Sequence, residues 1–77
     1  MSRWTPGKRR VFIQRLRKPG FEGPYSGTRH QFMVFSTHRL AIPSNSDLSA
    51  PQLMMLIKEV ETILGRQISV DDWNQLR

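Results

Sequence analysis

Two stretches of the chain repeat apolar positions at a helical period. In the first, Phe12, Ile13 and Leu16 gather on one side, while Arg10 and Arg17 point the other way. Thr5 and Pro6 predict its start, as N-cap and first helical residue, and Pro19-Gly20 predicts its end. Arg9 falls inside the apolar arc, so its stem is expected to run along apolar surface and carry the guanidinium outward. The second stretch is stronger: Leu53, Leu56, Ile57, Val60, Ile63 and Leu64 follow i, i+3, i+4, i+7 spacing. Ser49 and Gln52 fit a capping box at its start, and Gly65 fits its close. Met54 and Met55 are expected as ordinary helix packing, Met55 off the main stripe. A last turn opens at Ser69, where Asp71 and Asp72 suit the positive end of the helix dipole. Ile68 and Trp73 flank that turn at hydrophobic-staple spacing.

Between the helices the period changes to two. Gln31 to Phe35 is β-prone, and Arg39 to Ile42 alternates polar and apolar. Ser36-Thr37-His38 is the length of a tight hairpin loop. Residues 21–28 are rich in turn formers and predict at most a poor edge strand. Alternation puts Phe32 and Phe35 on opposite faces. Tyr25 is expected to anchor the glycine-rich segment to the core, with stacking on a base as the other use of its ring. The order is helix, two or three antiparallel strands, long helix, short helix. That is an α+β sandwich, two helices covering one face of a small sheet. The α-β-β-β-α order and the size match double-stranded-RNA-binding domains (dsRBD-like), an analogy of layout that does not fix function.

Composition narrows the picture. With 77 residues, positions 1–77 read as a single domain with one core. There is no cysteine, which removes disulfides, thiolate metal sites and cysteine nucleophiles. The basic N-terminus is followed by no apolar run, so neither a secretory signal nor a membrane span is expected, and a soluble, cytoplasmic protein is the plain expectation. The net charge of +6 is lopsided: the first twenty residues hold seven Lys and Arg and no acid, while the remainder is close to neutral. A basic segment beside a neutral body fits a polyanion binder, and it also fits a solvated helix face.

The candidate chemistry is sparse. His30 stands at the mouth of a strand after Tyr25-Ser26-Gly27-Thr28-Arg29, and His38 lies in the expected hairpin loop. An imidazole exchanges protons near neutral pH, as needed by a ribose hydroxyl or a phosphate leaving oxygen. Arg29 would hold a phosphate beside His30. Gly27 would let the backbone approach that phosphate, and Ser26 and Thr28 add hydroxyl donors. No nucleophile elbow, P-loop, dinucleotide motif or metal-ligand spacing is present. Catalysis here would be acid–base work without metal or other cofactor.

The segment Gly20-Phe21-Glu22-Gly23-Pro24-Tyr25-Ser26-Gly27-Thr28-Arg29-His30 resembles the HicA family of bacterial toxins. The likeness continues through Phe32-Met33-Val34, Arg39-Leu40-Ala41-Ile42-Pro43 and the closing Ile68, Ser69 and Trp73, and it starts at Thr5-Pro6-Gly7-Lys8. In place of the common Gly-Ser-His of the family stands Gly27-Thr28-Arg29-His30, closer to a subgroup with a Gly-Gly-Lys-His segment; Arg29 takes the basic position. The resemblance implies a dsRBD-like fold, endoribonuclease cleavage of mRNA with His30 as catalytic residue, and neutralisation by a HicB-like antitoxin. The expected protein is thus the toxin of a type II toxin–antitoxin pair, monomeric when free and hetero-oligomeric with its antitoxin. Lys8, Arg10, Arg17, Arg29 and Arg39, with Ser26, Gly27 and Thr28, are then the expected RNA contacts. Two alternatives stay open: an RNA-binding module without catalysis, and a domain whose basic face docks an acidic protein.

Overall fold

The computed structural model describes residues 3–76. Its elements run β1 (Gly7–Lys8), α1 (Arg9–Arg17), β2 (Glu22–Tyr25), β3 (Phe32–Phe35), β4 (His38–Ala41), β5 (Asp47–Leu48), α2 (Ala50–Leu64) and α3 (Val70–Gln75). The chain is α+β: β2, β3 and β4 form an antiparallel sheet in sequence order, and β1 pairs with β5 in a separate two-stranded ribbon.

The helices follow their local signals except at one end. The Ser49–Gln52 capping box is complete, with Gln52 N donating to Ser49 Oγ at 3.2 Å and Ser49 N to Gln52 Oε1 at 3.0 Å. Gly65 ends α2 in the left-handed region at φ 72°, where a side chain would be strained, and its N–H reaches the Glu61 carbonyl at 2.8 Å. A second capping box, Ser69 with Asp72, starts α3, and the staple residues Ile68 and Trp73 are both buried. The start of α1 differs from expectation. The helix begins at Arg9, not at Thr5-Pro6, because Gly7 and Lys8 stay extended to pair with Leu48 and Asp47. Arg9 N then donates to Ser46 O at 2.9 Å, so this ribbon supplies what an N-cap side chain would have supplied. Pairing with a segment some 40 residues away overrides the local preference.

The hairpin between β3 and β4 turns on Ser36 and Thr37 alone, with Ser36 at φ 55°. His38 therefore belongs to β4, opposite Phe35, and not to the loop. In-register pairing of Phe32 with Ala41, Met33 with Leu40 and Val34 with Arg39 sorts the side chains by face. Met33 and Leu40 point inward to Phe12, Ile13 and Leu16 of α1 and Leu53, Leu56, Ile57 and Val60 of α2, all in one buried cluster. Phe35 joins that side against Phe21, ring centroids 5.3 Å apart, and Phe32 lies on the other, as alternation requires. Trp73 closes the far end on Phe12 at 5.1 Å. Ile63 and Leu64 are half-buried at the rim. Met54 and Met55 are both exposed, so Met54 too falls off the packing stripe.

Both long helices thus cover one face of the sheet. The opposite face stays open.

Candidate functional site

The connection from β2 to β3 leaves the sheet at Tyr25 and returns at Phe32, bending sharply over residues 28–30. The bend is tight enough that a Cβ on Gly27 would run into the His30 carbonyl oxygen, with Phe32 Cδ1 at 3.3 Å on the other side. Glycine is needed here for this close approach, the backbone of residue 27 resting on that of residue 30. The downstream side is braced as well. Gln31 O accepts Ile42 N at 2.9 Å, and Gln31 Oε1 accepts Arg9 Nη2 at 2.6 Å. Arg9 Nε also donates to Pro43 O at 2.8 Å. Arg9 therefore ties α1 to both chain segments flanking the sheet edge, one residue from His30. The guanidinium does not run out to solvent as expected from the apolar arc. Its one signal in the sequence was a cation on an otherwise apolar helix face.

On this frame His30 is exposed, and its imidazole makes no hydrogen bond to the described residues. It borders an open concavity of about 690 Å³ with Ser26, Gly27, Thr28, Phe32, Arg39 and Ala41. Five of the expected site residues, Ser26, Gly27, Thr28, His30 and Arg39, thus meet around one groove. Arg39 reaches it from β4 and lies over the Phe32 ring, its Cζ 4.7 Å from the centroid. Arg29 is exposed in the bend beside His30 but does not line the groove. On its other side His30 borders a smaller, more apolar hollow with Ala41, Ile42, Pro43, Met55 and Glu59.

The remaining expected contacts lie elsewhere. Lys8 forms an ion pair with Asp47 at 2.6 Å, and with Arg9, Arg10, Ser44 and Ser46 it borders a shallow groove along the β1–β5 ribbon. Arg17 is turned back on the Gly23 carbonyl, with Nη2 at 2.9 Å and Nε at 3.2 Å. Arg15 lies over Trp73 and donates to Asn74 Oδ1 at 3.2 Å. Much of the positive charge of α1 therefore has intramolecular work, while Arg10 is exposed and borders that groove with Arg9.

Tyr25 is not the core anchor expected from the sequence. It is exposed on the outer sheet face, its ring 5.8 Å from that of Phe32, because it pairs opposite Phe32 on the solvent side. Its hydroxyl donates to Glu22 Oε2 at 3.2 Å. That hydrogen bond, then the carboxylate's charge, hold the phenol pKa above 10.0, which keeps it neutral and unsuited as a base.

His38 lies at the opposite end of the hairpin from the Phe32–Ala41 pair. Three residues of strand put it about 10 Å from that pair, at the end away from His30, too far to share a proton transfer with it. Among the described residues no three His, Asp or Glu side chains gather into a metal-binding group, and no polar or charged side chain is buried. The chemistry this arrangement offers is that of one solvent-accessible imidazole beside hydroxyls and a guanidinium. Among the described residues no helix is long and apolar enough to cross a membrane. Comparison with protein-family models, with curated proteins and with solved structures finds no match for this chain.

Proposed function

We propose that this chain is an RNA-cleaving toxin of the HicA type, working in the cytoplasm and silenced by a HicB-like antitoxin. The observation that carries the reading is the convergence of His30, Arg39, Ser26 and Thr28 on one open groove whose wall depends on Gly27. An RNA strand in that groove meets a cation and two hydroxyl donors for a phosphate and an imidazole for its ribose. His30 takes the proton of a 2′-hydroxyl as its oxygen attacks the adjacent phosphorus. The bond from phosphorus to the 5′-oxygen breaks, a 2′,3′-cyclic phosphate forms, and the leaving 5′-oxygen takes a proton from the imidazolium or from water. Arg39 faces the charge that builds on the phosphoryl oxygens.

Because the site is exposed, little of its effect comes from a dry, low-dielectric interior. Positioning of the imidazole against the phosphate carries the acceleration, and the rate enhancement is modest by enzyme standards. Arg29, exposed beside His30, extends the phosphate contacts, and Arg10 adds positive charge from the separate groove along the β1–β5 ribbon. The antitoxin silences the enzyme by covering His30 and the basic surface near it.

The test is cleavage of a long single-stranded RNA by the purified chain and by His30→Ala, both in excess EDTA. Cleavage by the wild type alone supports a metal-free histidine reaction. Binding without cleavage by either protein replaces this reading with a non-catalytic RNA-binding module. Equal cleavage by both removes His30 from the mechanism.

A further inference from the structure

The groove beside His30 has a shape that phosphate contacts alone do not use. Its floor is Phe32 and Ala41, paired residues on neighbouring strands that alternate with the inward-facing Met33 and Leu40. Phe32 is half-buried and presents a ring, while Ala41 is exposed and small, so the position next to the ring is left open. Arg39, its Cζ over the Phe32 ring at 4.7 Å, lines this slot together with the Ser26–Thr28 turn and His30. Tyr25 continues the aromatic surface beyond Phe32. A flat, π-faced ligand bearing a negative group fits this combination of ring, guanidinium plane and hydroxyl donors.

We propose that the slot over Ala41 is a nucleobase subsite, taking one unpaired base of the RNA strand and thereby setting which ribose faces His30. The inference rests on the RNA-cleaving reading above and adds the residues that select the strand. The base lies over Ala41 between the Arg39–Phe32 stack and the glycine-rich turn, and its phosphate meets Ser26, Thr28 and Arg39. Bases stack on aromatic rings and on arginine planes with little regard to sequence, because every base has a π-face. A base inside a duplex has both faces covered by its neighbours and cannot enter. Single-stranded RNA is therefore preferred for a steric reason, and Ala41 sets it: a larger residue there fills the slot.

The experiment uses a short single-stranded 2′-O-methyl oligonucleotide, which lacks the attacking hydroxyl, with one 2-aminopurine as a fluorescent base. Wild type, Ala41→Leu and Phe32→Leu are titrated with it and with its fully paired duplex. Ala41→Leu adds volume at an exposed strand position, and an unchanged circular dichroism spectrum confirms its fold even if Phe32→Leu unfolds. Wild type is expected to bind the strand and quench the probe. Ala41→Leu should weaken binding roughly 5- to 150-fold and abolish the quench, the range set by one stacked base. Duplex binding should be weaker and the same for wild type and Ala41→Leu. Equal affinity and quench for wild type and folded Ala41→Leu would overturn the subsite and leave RNA binding standing. A duplex bound as tightly as the strand, and equally weakened by Ala41→Leu, would overturn an unpaired base as the occupant. Failure of wild type to bind either RNA would overturn the subsite and the RNA reading together.

Discussion

Gly27→Ala tests whether the backbone of the β2–β3 connection positions His30. The added methyl group meets the His30 carbonyl oxygen, a backbone atom that cannot rotate aside. Restoring an ordinary carbon–oxygen contact of about 3.3 Å requires the turn to open by roughly 1 Å. The bend is exposed and makes no core contact, so most of the strain is relieved by movement of the loop itself. A loss of about 1 kcal/mol follows, at the low end for overpacking, which lowers the Tm of a domain this small by roughly 4–8 °C. The effect on chemistry is larger, since a misplacement of about 1 Å at a reacting group costs on the order of a hundredfold in rate. The assay is single-turnover cleavage of a defined RNA with saturating protein, paired with a thermal melt. Gly7→Ala is the matched control, because a Cβ there meets nothing within 4 Å. A Gly27→Ala protein that cleaves as fast as Gly7→Ala, at an unchanged Tm, would refute the positioning role of the turn.

Other outcomes follow from particular contacts. Arg9→Met removes two charge-assisted hydrogen bonds, to Pro43 O and Gln31 Oε1, and should cost roughly 1–2 kcal/mol after allowance for partial exposure. If Arg9 steadies the His30 segment, kcat falls while KM holds; loss of stability alone would leave the folded fraction fully active. Trp73→Ala empties a site 2% exposed that packs on Phe12, and should cost about 3–5 kcal/mol, seen as a melt moved far down in temperature. A small shift would mean that α3 contributes little to the core. Glu22→Gln should bring the Tyr25 pKa down toward 10.0, read by ultraviolet titration of the phenolate. The raised pKa means that any stability from this contact is complete below the unfolded-state value and is lost as pH rises through the folded one. An unmoved titration would mean the Glu22–Tyr25 contact is absent in solution.

The parts of this protein legible in the sequence are those determined within about one helical turn or by simple alternation. The spacing of Leu53, Leu56, Ile57 and Val60, the Ser49–Gln52 box, the Ile68–Trp73 staple and the opposite facing of Phe32 and Phe35 all depend on neighbours a few positions away. The cluster from Ser26 to His30 was visible for the same reason, because its members are adjacent in the chain. What the tertiary structure decided depends on partners far along it. The start of α1 moved to Arg9 because β5 offered Gly7 and Lys8 a strand to pair with. Arg9 became a brace because Pro43 and Gln31 came within reach. Arg39 joined His30 through the register of β3 with β4, the same register that carried His38 away to the other end of the hairpin. Local pattern tells which face of an element is apolar. Only the packing of those faces decides which polar groups, distant in sequence, are left standing together on the outside.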